Sequence, residues 1–83
     1  MSPVGKLTSG QIRAARALLR WDQKDLVDHS GVSIATIKRL EGMEGIVTAN
    51  RVTIEAIIRA FVEAGIAFTD ANGGGPGVRL RGS

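Results

Sequence analysis

Residues Gln23 to Glu41 read QKDLVDHSGVSIATIKRLE, and this stretch decides the fold. It contains two short helical patterns separated by a turn that includes a glycine. Asp22 and Ser33 are suitable N-caps for the two helices, because their side-chain oxygens can accept hydrogen bonds from unpaired backbone N–H groups. Gly31 stands where the chain leaves the first of them, a position that favours positive φ and therefore glycine. The pattern predicts two helices joined by a tight turn, which is the helix-turn-helix motif.

The apolar residues of this stretch are spaced for burial on one side. Leu26 and Val27 are the predicted inward positions of the first helix. Ile37 and Leu40 lie three residues apart and share a face of the second helix. We expect Val32 to fill the corner between the two helices.

The same stretch resembles the helix-turn-helix of the phage-repressor-like family of bacterial transcriptional regulators, the group of the lambda repressor, Cro and xenobiotic-response-element regulators. This resemblance implies a mainly α fold, namely a compact four-helix repressor-like helix-turn-helix domain. It also implies sequence-specific binding to double-stranded DNA on the bacterial nucleoid. The residues that carry it, in matching order and spacing, are Gln23, Leu26, Gly31, Val32, Ser33, Ile37, Leu40 and Glu41.

Composition is typical of one small globular domain spanning residues 1–83. The chain is 43% hydrophobic and 23% charged, which favours a folded core over disorder. It has no cysteine, no apolar run of membrane-spanning length and no apolar stretch of the kind that marks a signal peptide. The sequence therefore predicts a cytoplasmic protein without membrane contact. A core this small also favours dimerisation.

The formal net charge of +3 is unevenly distributed. Residues 1–42 contain seven basic and four acidic side chains, whereas residues 43–83 contain four of each. All of the excess therefore lies on the half that contains the helix-turn-helix, as expected for a surface that faces nucleic acid. A solvated basic surface is the alternative interpretation.

The chain before this motif predicts a loose arm and a first helix. Residues 1–7 are the arm, and Thr8-Ser9-Gly10-Gln11 has the form of a capping box for a helix that runs to about Leu19. Trp21 is interpreted as a core residue that closes the corner between two helices, with stacking on a base as the alternative. The predicted buried stripe of this helix is Ile12, Ala15, Leu18 and Leu19.

The chain after the motif predicts a fourth helix and a C-terminal β-hairpin. The helix begins between Asn50 and Thr53 and stops at Gly65, so the helical core covers residues 8–64. Residues 66–81 alternate in the manner of two strands around a glycine-rich turn, which predicts a hairpin. A disordered tail beyond Thr69 is the alternative. Because an isolated hairpin is marginal in water, it must pack on the helices, pair with a second copy, or both.

The second helix of the motif supplies the predicted contacts to DNA bases. Side chains in the first two turns of a helix lying in the major groove reach the base edges. Arg39 is the best candidate for a bidentate contact to guanine, although a solvated charge is the alternative. Ile34 and Ala35 cannot hydrogen-bond and can only meet thymine methyl groups, so DNA shape must supply part of the specificity. The full set of predicted base contacts is Ser33, Ile34, Ala35, Thr36, Lys38 and Arg39.

Four residues are predicted to contact the DNA backbone. Gln23 opens a helix, where N–H groups and the positive helix end suit a phosphate, and the resemblance gives it this role. Lys24 and Lys6 are further phosphate partners. The resemblance also implies a structural ion pair between Arg16 and Glu41, in which the remaining donors of Arg16 reach a phosphate. Two exposed, unpaired charges are the alternative for that pair.

The residues offer little for catalysis. The only histidine, His29, is flanked by Asp28 and Ser30, which point in other directions on a helix and cannot form a triad. One histidine without cysteine does not make a metal site of ordinary spacing. We expect no enzyme activity, no cofactor and no metal.

Two functions and two dimer interfaces are left open. The favoured function is a small repressor that binds an inverted repeat as a homodimer. The alternative is a protein–protein interaction module, such as an antitoxin or antiactivator with the same fold and a protein partner. The dimer would form either through the edge of the hairpin or through the fourth helix, around Phe61.

Overall fold

The computed structural model describes residues 6–69 and 75–82. Four helices precede a two-stranded antiparallel sheet, so the predicted mainly α fold with a C-terminal hairpin is confirmed. No helix in these two ranges is both long and apolar enough to cross a membrane. The elements are α1 (Ser9–Leu19), α2 (Gln23–Ser30), α3 (Ile34–Glu41), α4 (Arg51–Glu63), β1 (Ile66–Thr69) and β2 (Gly77–Leu80).

Each helix begins at a residue whose side chain accepts a hydrogen bond from the backbone. Thr8 forms the predicted capping box with Gln11 at the start of α1. Asp22, Ser33 and Asn50 cap α2, α3 and α4 in the same way. Since each cap satisfies an otherwise unpaired N–H group, the helix starts follow from local sequence.

The core lies between the helices and the inner face of the hairpin. Leu18 was predicted to be buried but is 40% exposed, because Ile12 and Ala15 already fill the inward side of α1. Trp21 is half-buried, as expected for a corner residue, and stacks on Phe61 with ring centroids 5.8 Å apart. The side chains with no exposed surface include Ile12, Leu26, Ile37, Leu40, Ile57, Phe61 and Ile66.

The prediction of a loose arm over residues 1–7 is wrong at Leu7, which is 1% exposed. The backbone N–H of Val47 donates to the carbonyl of Leu7 at 2.8 Å, and Thr8 forms a β-bridge with Ile46. The loop between α3 and α4 therefore holds the start of the chain against the core. Residues 1–5 lie outside the described ranges.

The hairpin packs on the helices, and the alternative of a disordered tail is wrong for residues 77–80. Ile66 pairs with Leu80, and Phe68 with Val78, so these four side chains share the sheet face that points toward the core. Arg79 lies on the opposite face, which is exposed to solvent. Sheet strand β2 contacts α1, while β1 contacts α4.

Candidate functional site

The turn between α2 and α3 is held by one glycine and one serine. Gly31 has φ 76°, and its N–H donates to the carbonyl of Val27 at 2.9 Å, so the positive φ predicted from the sequence is confirmed. Ser30 is buried, and its hydroxyl donates to the carbonyl of Leu26 at 2.6 Å while accepting from the N–H of Val32 at 3.1 Å. These two hydrogen bonds of Ser30 fix the direction in which α3 leaves the turn. Sequence reasoning missed them, because a serine at the end of a helix usually remains solvated.

Helix α3 has a buried side and an exposed side. Ile37 and Leu40 are fully buried, and α3 packs on α1 and α2. The 100° rotation between successive residues then places four side chains on the opposite side. All four are exposed, and all four were predicted to contact bases: Ile34, Ala35, Lys38 and Arg39.

The two other predicted base contacts are partly engaged within the protein. Ser33 accepts a hydrogen bond from the N–H of Thr36 at 3.2 Å and donates its hydroxyl to Oγ1 of Thr36 at 3.0 Å. The hydroxyl hydrogen of Thr36 is left for an outside acceptor, whereas Ser33 already uses its own. Thr36 is therefore the better hydrogen-bonding candidate of the two.

Arg39 carries its charge toward the loop between α3 and α4. One of its terminal nitrogens, Nη1, lies 3.4 Å from the carbonyl oxygen of Thr48, a long contact for a hydrogen bond. The side chain is exposed, and its other donors have no partner among the described residues. Such a weak tether leaves the guanidinium free to turn toward a ligand in front of α3.

The predicted ion pair between Arg16 and Glu41 is present. Nε and Nη2 of Arg16 each donate to a carboxylate oxygen of Glu41 at 2.7 Å, which is the bidentate arrangement. Glu41 is 6% exposed and the Arg16 side chain is 19% exposed. The hydrogen bond to Glu41 raises the pKa of the Arg16 guanidinium above its usual value, against the opposing effect of burial. The pair thus joins the last turn of α1 to the end of α3.

Two more side chains converge on Glu41. Nε2 of Gln23 donates to its carboxylate at 3.2 Å, and Nη1 of Arg13 donates to its backbone carbonyl at 2.7 Å. Sequence reasoning missed both contacts. The only signal for Arg13 was its position three residues before Arg16, on the same side of α1.

These contacts change what Gln23 and Arg16 can offer to a phosphate. Gln23 keeps one amide hydrogen, since the other is directed at Glu41. Arg16 also donates through Nη1 to the carbonyl of Trp21 at 3.0 Å, so each of its nitrogens already makes one internal hydrogen bond. Their predicted contacts with the DNA backbone therefore depend on the second hydrogens of these groups.

The start of α2 is less electropositive than the sequence suggested. Asp22 accepts from the N–H of Asp25, and Asp25 accepts from the N–H of Asp22, each at 2.9 Å. Two carboxylates at a helix N-terminus oppose an incoming phosphate. Lys24 is exposed beside them and supplies a compensating positive charge.

Lys6 and His29 lie elsewhere. Lys6 is exposed and adjoins Leu7, whose carbonyl bonds to Val47 in the loop before α4. His29 is exposed and stacks on Trp21, with ring centroids 4.3 Å apart. Within residues 6–69 and 75–82, His, Asp and Glu side chains form no cluster that would hold a metal ion.

Comparison with known proteins gives no further assignment. No protein-family model matches the chain, and no curated protein matches it. The case for a function consequently rests on the exposed side of α3 and on the residues that hold this helix in place.

Proposed function

We propose that this chain is a sequence-specific, double-stranded-DNA-binding transcriptional regulator of the phage-repressor-like type. In this proposal it is a small repressor of the bacterial cytoplasm, associated with the nucleoid. The observation that carries the proposal is the exposed side of α3, which presents the cations Lys38 and Arg39 together with two apolar residues, Ile34 and Ala35. No cofactor and no catalytic step belong to it.

The dimensions of α3 support an approach to the major groove. A helix with its side chains is about 10–12 Å across, and the major groove is about 12 Å wide, so α3 can lie in it; the eight residues of α3 extend for about 12 Å. The N-terminal half of α3 presents Ile34, which is 42% exposed, and Ala35. Both can pack against thymine methyl groups. The C-terminal half presents the two cations, of which Arg39 has the fork-shaped donors that match guanine O6 and N7.

The contacts that hold α3 in place are those expected around a recognition helix. Recognition of bases requires the helix to be held in a fixed orientation by side chains whose own positions are set by packing and hydrogen bonds. Ile37 and Leu40 hold one side of α3, and the bidentate Arg16–Glu41 pair holds its end. Gln23 and Lys24 at the start of α2, together with Arg16 and Lys6, are the proposed partners of DNA phosphates.

A homodimer on an inverted repeat is part of the proposal. Half-sites in this class lie about one helical turn apart, roughly 34 Å from centre to centre. Phe61 itself has no exposed surface, so a contact through α4 would have to use the residues beside it. An exposed face of α4 is the remaining route on that helix; it carries Val52, Glu55, Arg59 and Val62.

The dimer is tested by sedimentation of two matched variants. Val62 and Leu18 are similarly exposed, at 37% and 40%, but they lie on different helices. We expect Val62→Glu to produce monomers and Leu18→Glu to leave the dimer intact. A wild-type chain that sediments as a monomer at high concentration, alone and on its DNA site, would remove the homodimer from the proposal.

The central experiment is selection of bound fragments from a random pool of duplex DNA, followed by measurement of affinity for the selected site. Arg39→Ala is compared with Arg79→Ala, which removes the same charge from an exposed position on β2, away from α3 and from the proposed dimer face of α4. We expect the first variant to lose about 10- to 100-fold in affinity and the second to lose much less. Wild-type binding should also weaken steeply with salt. If no sequence is enriched at low salt, the repressor proposal fails.

A further inference from the structure

On the side away from β1, β2 pairs with no further strand among the described residues. The N–H of Arg81 donates to the carbonyl of Gly65 at 2.7 Å. Gly65 and Arg81 are therefore a hydrogen-bonded pair, and along an antiparallel ladder such pairs alternate with pairs that form no hydrogen bonds to each other. Arg79 therefore also directs its backbone groups toward β1. Val78 and Leu80 direct theirs away from it.

The outward backbone groups of Val78 and Leu80 have no partner among the described residues. Neither residue contributes a backbone hydrogen bond outside the hairpin ladder, and no side chain reaches either of them. The nearest such contact is at Gly77, whose carbonyl oxygen accepts from Nε2 of Gln11 at 3.2 Å. Two N–H and two C=O groups thus form a short template for one more strand.

The side chains along this edge alternate in character. Arg79 is exposed on the outer sheet face. Arg81 follows two positions later and is also exposed; its Nη2 donates to the carbonyl of Val62 at 3.1 Å, and its other side-chain donors make no hydrogen bond among the described residues. On the inner face Val78 packs against the core, while Leu80 is 42% exposed at its margin. An added strand would therefore meet cations on one face and an apolar margin on the other.

A second copy of β2 fits this edge poorly. In a ladder between two copies, residues that direct their backbone groups away from β1, such as Val78 and Leu80, must lie opposite residues of the other copy that do the same. The antiparallel register with the longest overlap is centred on Arg79, and it places Arg79 of one copy opposite Arg79 of the other. In the register centred on Leu80, Arg79 lies opposite Arg81 of the other copy. Like charges directly opposite each other destabilise a strand pair. The register that avoids them, centred on Val78, overlaps only three residue pairs.

We propose that the edge of β2 binds an extended acidic segment of a partner protein by strand addition. Main-chain hydrogen bonds at Val78 and Leu80 would hold the segment. Carboxylates at alternate positions would pair with Arg79 and Arg81, and the intervening apolar side chains would cover Leu80. This site shares no residue with the proposed DNA surface, so it stands whether or not the chain binds DNA.

The test uses two end-blocked synthetic peptides added to the full chain. One alternates glutamate with valine, and the other alternates lysine with valine. Binding is followed through the amide signals of Val78 and Leu80 by NMR, with affinity measured at low and high salt. We expect binding of the glutamate peptide, slowed hydrogen exchange at the two amides, and no binding of the lysine peptide.

Three variants distinguish binding through main-chain hydrogen bonds to β2 from binding through charge attraction alone. Leu80→Pro removes an outward N–H without removing a bond to β1 and should abolish binding, whereas Leu80→Ala keeps that N–H and should bind. Arg79→Glu should lower affinity for the glutamate peptide by about tenfold or more and should favour the lysine peptide. Circular dichroism and Trp21 fluorescence verify that each variant is folded.

Each contrary outcome overturns the proposal. Equal binding of both peptides would show nonspecific adhesion, and binding that survives Leu80→Pro would show charge attraction without strand addition. Amides of Val78 and Leu80 that are already protected in the free chain, together with a dimeric mass, would identify a second copy as the occupant. Binding of neither peptide would leave the arginines as charges that keep an edge strand from pairing.

Discussion

Arg16 and Glu41 are twenty-five positions apart in the chain, yet two hydrogen bonds of 2.7 Å join the guanidinium of one to the carboxylate of the other. The pair connects α1 to the end of α3. Gln23 from α2 reaches the same carboxylate, so three helices meet at Glu41. The orientation of the exposed side of α3 depends on this junction as well as on the apolar core.

Glu41→Gln is expected to destabilise the fold by about 2–4 kcal/mol, because it leaves the mostly buried Arg16 without a countercharge. The control is Glu55→Gln, which breaks the exposed Arg51–Glu55 pair and should change stability by about 0.5 kcal/mol or less. Urea unfolding measures both. Equal effects of the two substitutions would contradict a special role for the buried pair.

The stability difference between wild type and Glu41→Gln should not change through titration of Arg16 between about pH 7 and pH 9. The pKa of Arg16 is raised by its bond to Glu41, so its contribution is complete below the unfolded pKa and is lost only as pH rises through the higher folded value. Unfolding curves of both proteins at these two pH values test this. If the difference in unfolding free energy between the two proteins is smaller at pH 9 than at pH 7, a group other than Arg16 determines that difference.

Substitution of two glycines by alanine should have opposite effects. Gly31 has φ 76°, which a side chain disfavours, so Gly31→Ala should destabilise by about 1 kcal/mol. Gly10 lies exposed within α1, and an added Cβ would come no closer than 3.8 Å to the Thr8 hydroxyl. Gly10→Ala should therefore stabilise by about 0.5–1 kcal/mol. Thermal unfolding distinguishes the two signs.

Ser30→Ala is expected to cost about 1–2 kcal/mol, because the partly buried N–H of Val32 loses its acceptor at the turn before α3. Hydrogen exchange at Val32 should become faster than in the wild type, and affinity for the selected DNA site should fall together with stability. Unchanged exchange at that amide would mean that water replaces the serine hydroxyl without loss.

Phosphate contacts and base contacts should separate in their dependence on salt and sequence. If Lys24 holds a phosphate, Lys24→Ala will weaken binding to all DNA sequences alike and lower the slope against salt by about one. Arg39→Ala should instead weaken the selected site more than an unrelated site. If both variants lower affinity uniformly, the assignment of Arg39 to a base is wrong.

Local signals in the sequence were sufficient for most of the fold. Caps at Thr8, Asp22 and Ser33 each act on an N–H group within three residues, so they can be recognised without knowing the tertiary structure. The spacing of Ile37 and Leu40 likewise shows which side of α3 is buried. The helix starts, the turn at Gly31 and the buried residues of α3 were therefore all predicted.

Contacts between distant segments account for what the sequence did not predict. Leu7 is buried because Val47, forty residues later, pairs with its carbonyl. Gln23 is directed toward Glu41 only after three helices have met. Arg20 ends α1 in the left-handed region at φ 57°, where a glycine would have been the recognisable signal. In each case the conformation is set by packing between distant segments, so the neighbouring residues in the sequence give no signal for it.

The side chain of Gln11 links the beginning of this domain to its end. Its Oε1 accepts from the N–H of Thr8 at 2.9 Å, while its Nε2 donates to the carbonyl of Gly77, sixty-six positions away. During synthesis the first helix leaves the ribosome long before that carbonyl exists. The buried amide of Gln11 therefore finds its acceptor only once β2 has been made, so this contact between α1 and the hairpin is among the last of the domain to form.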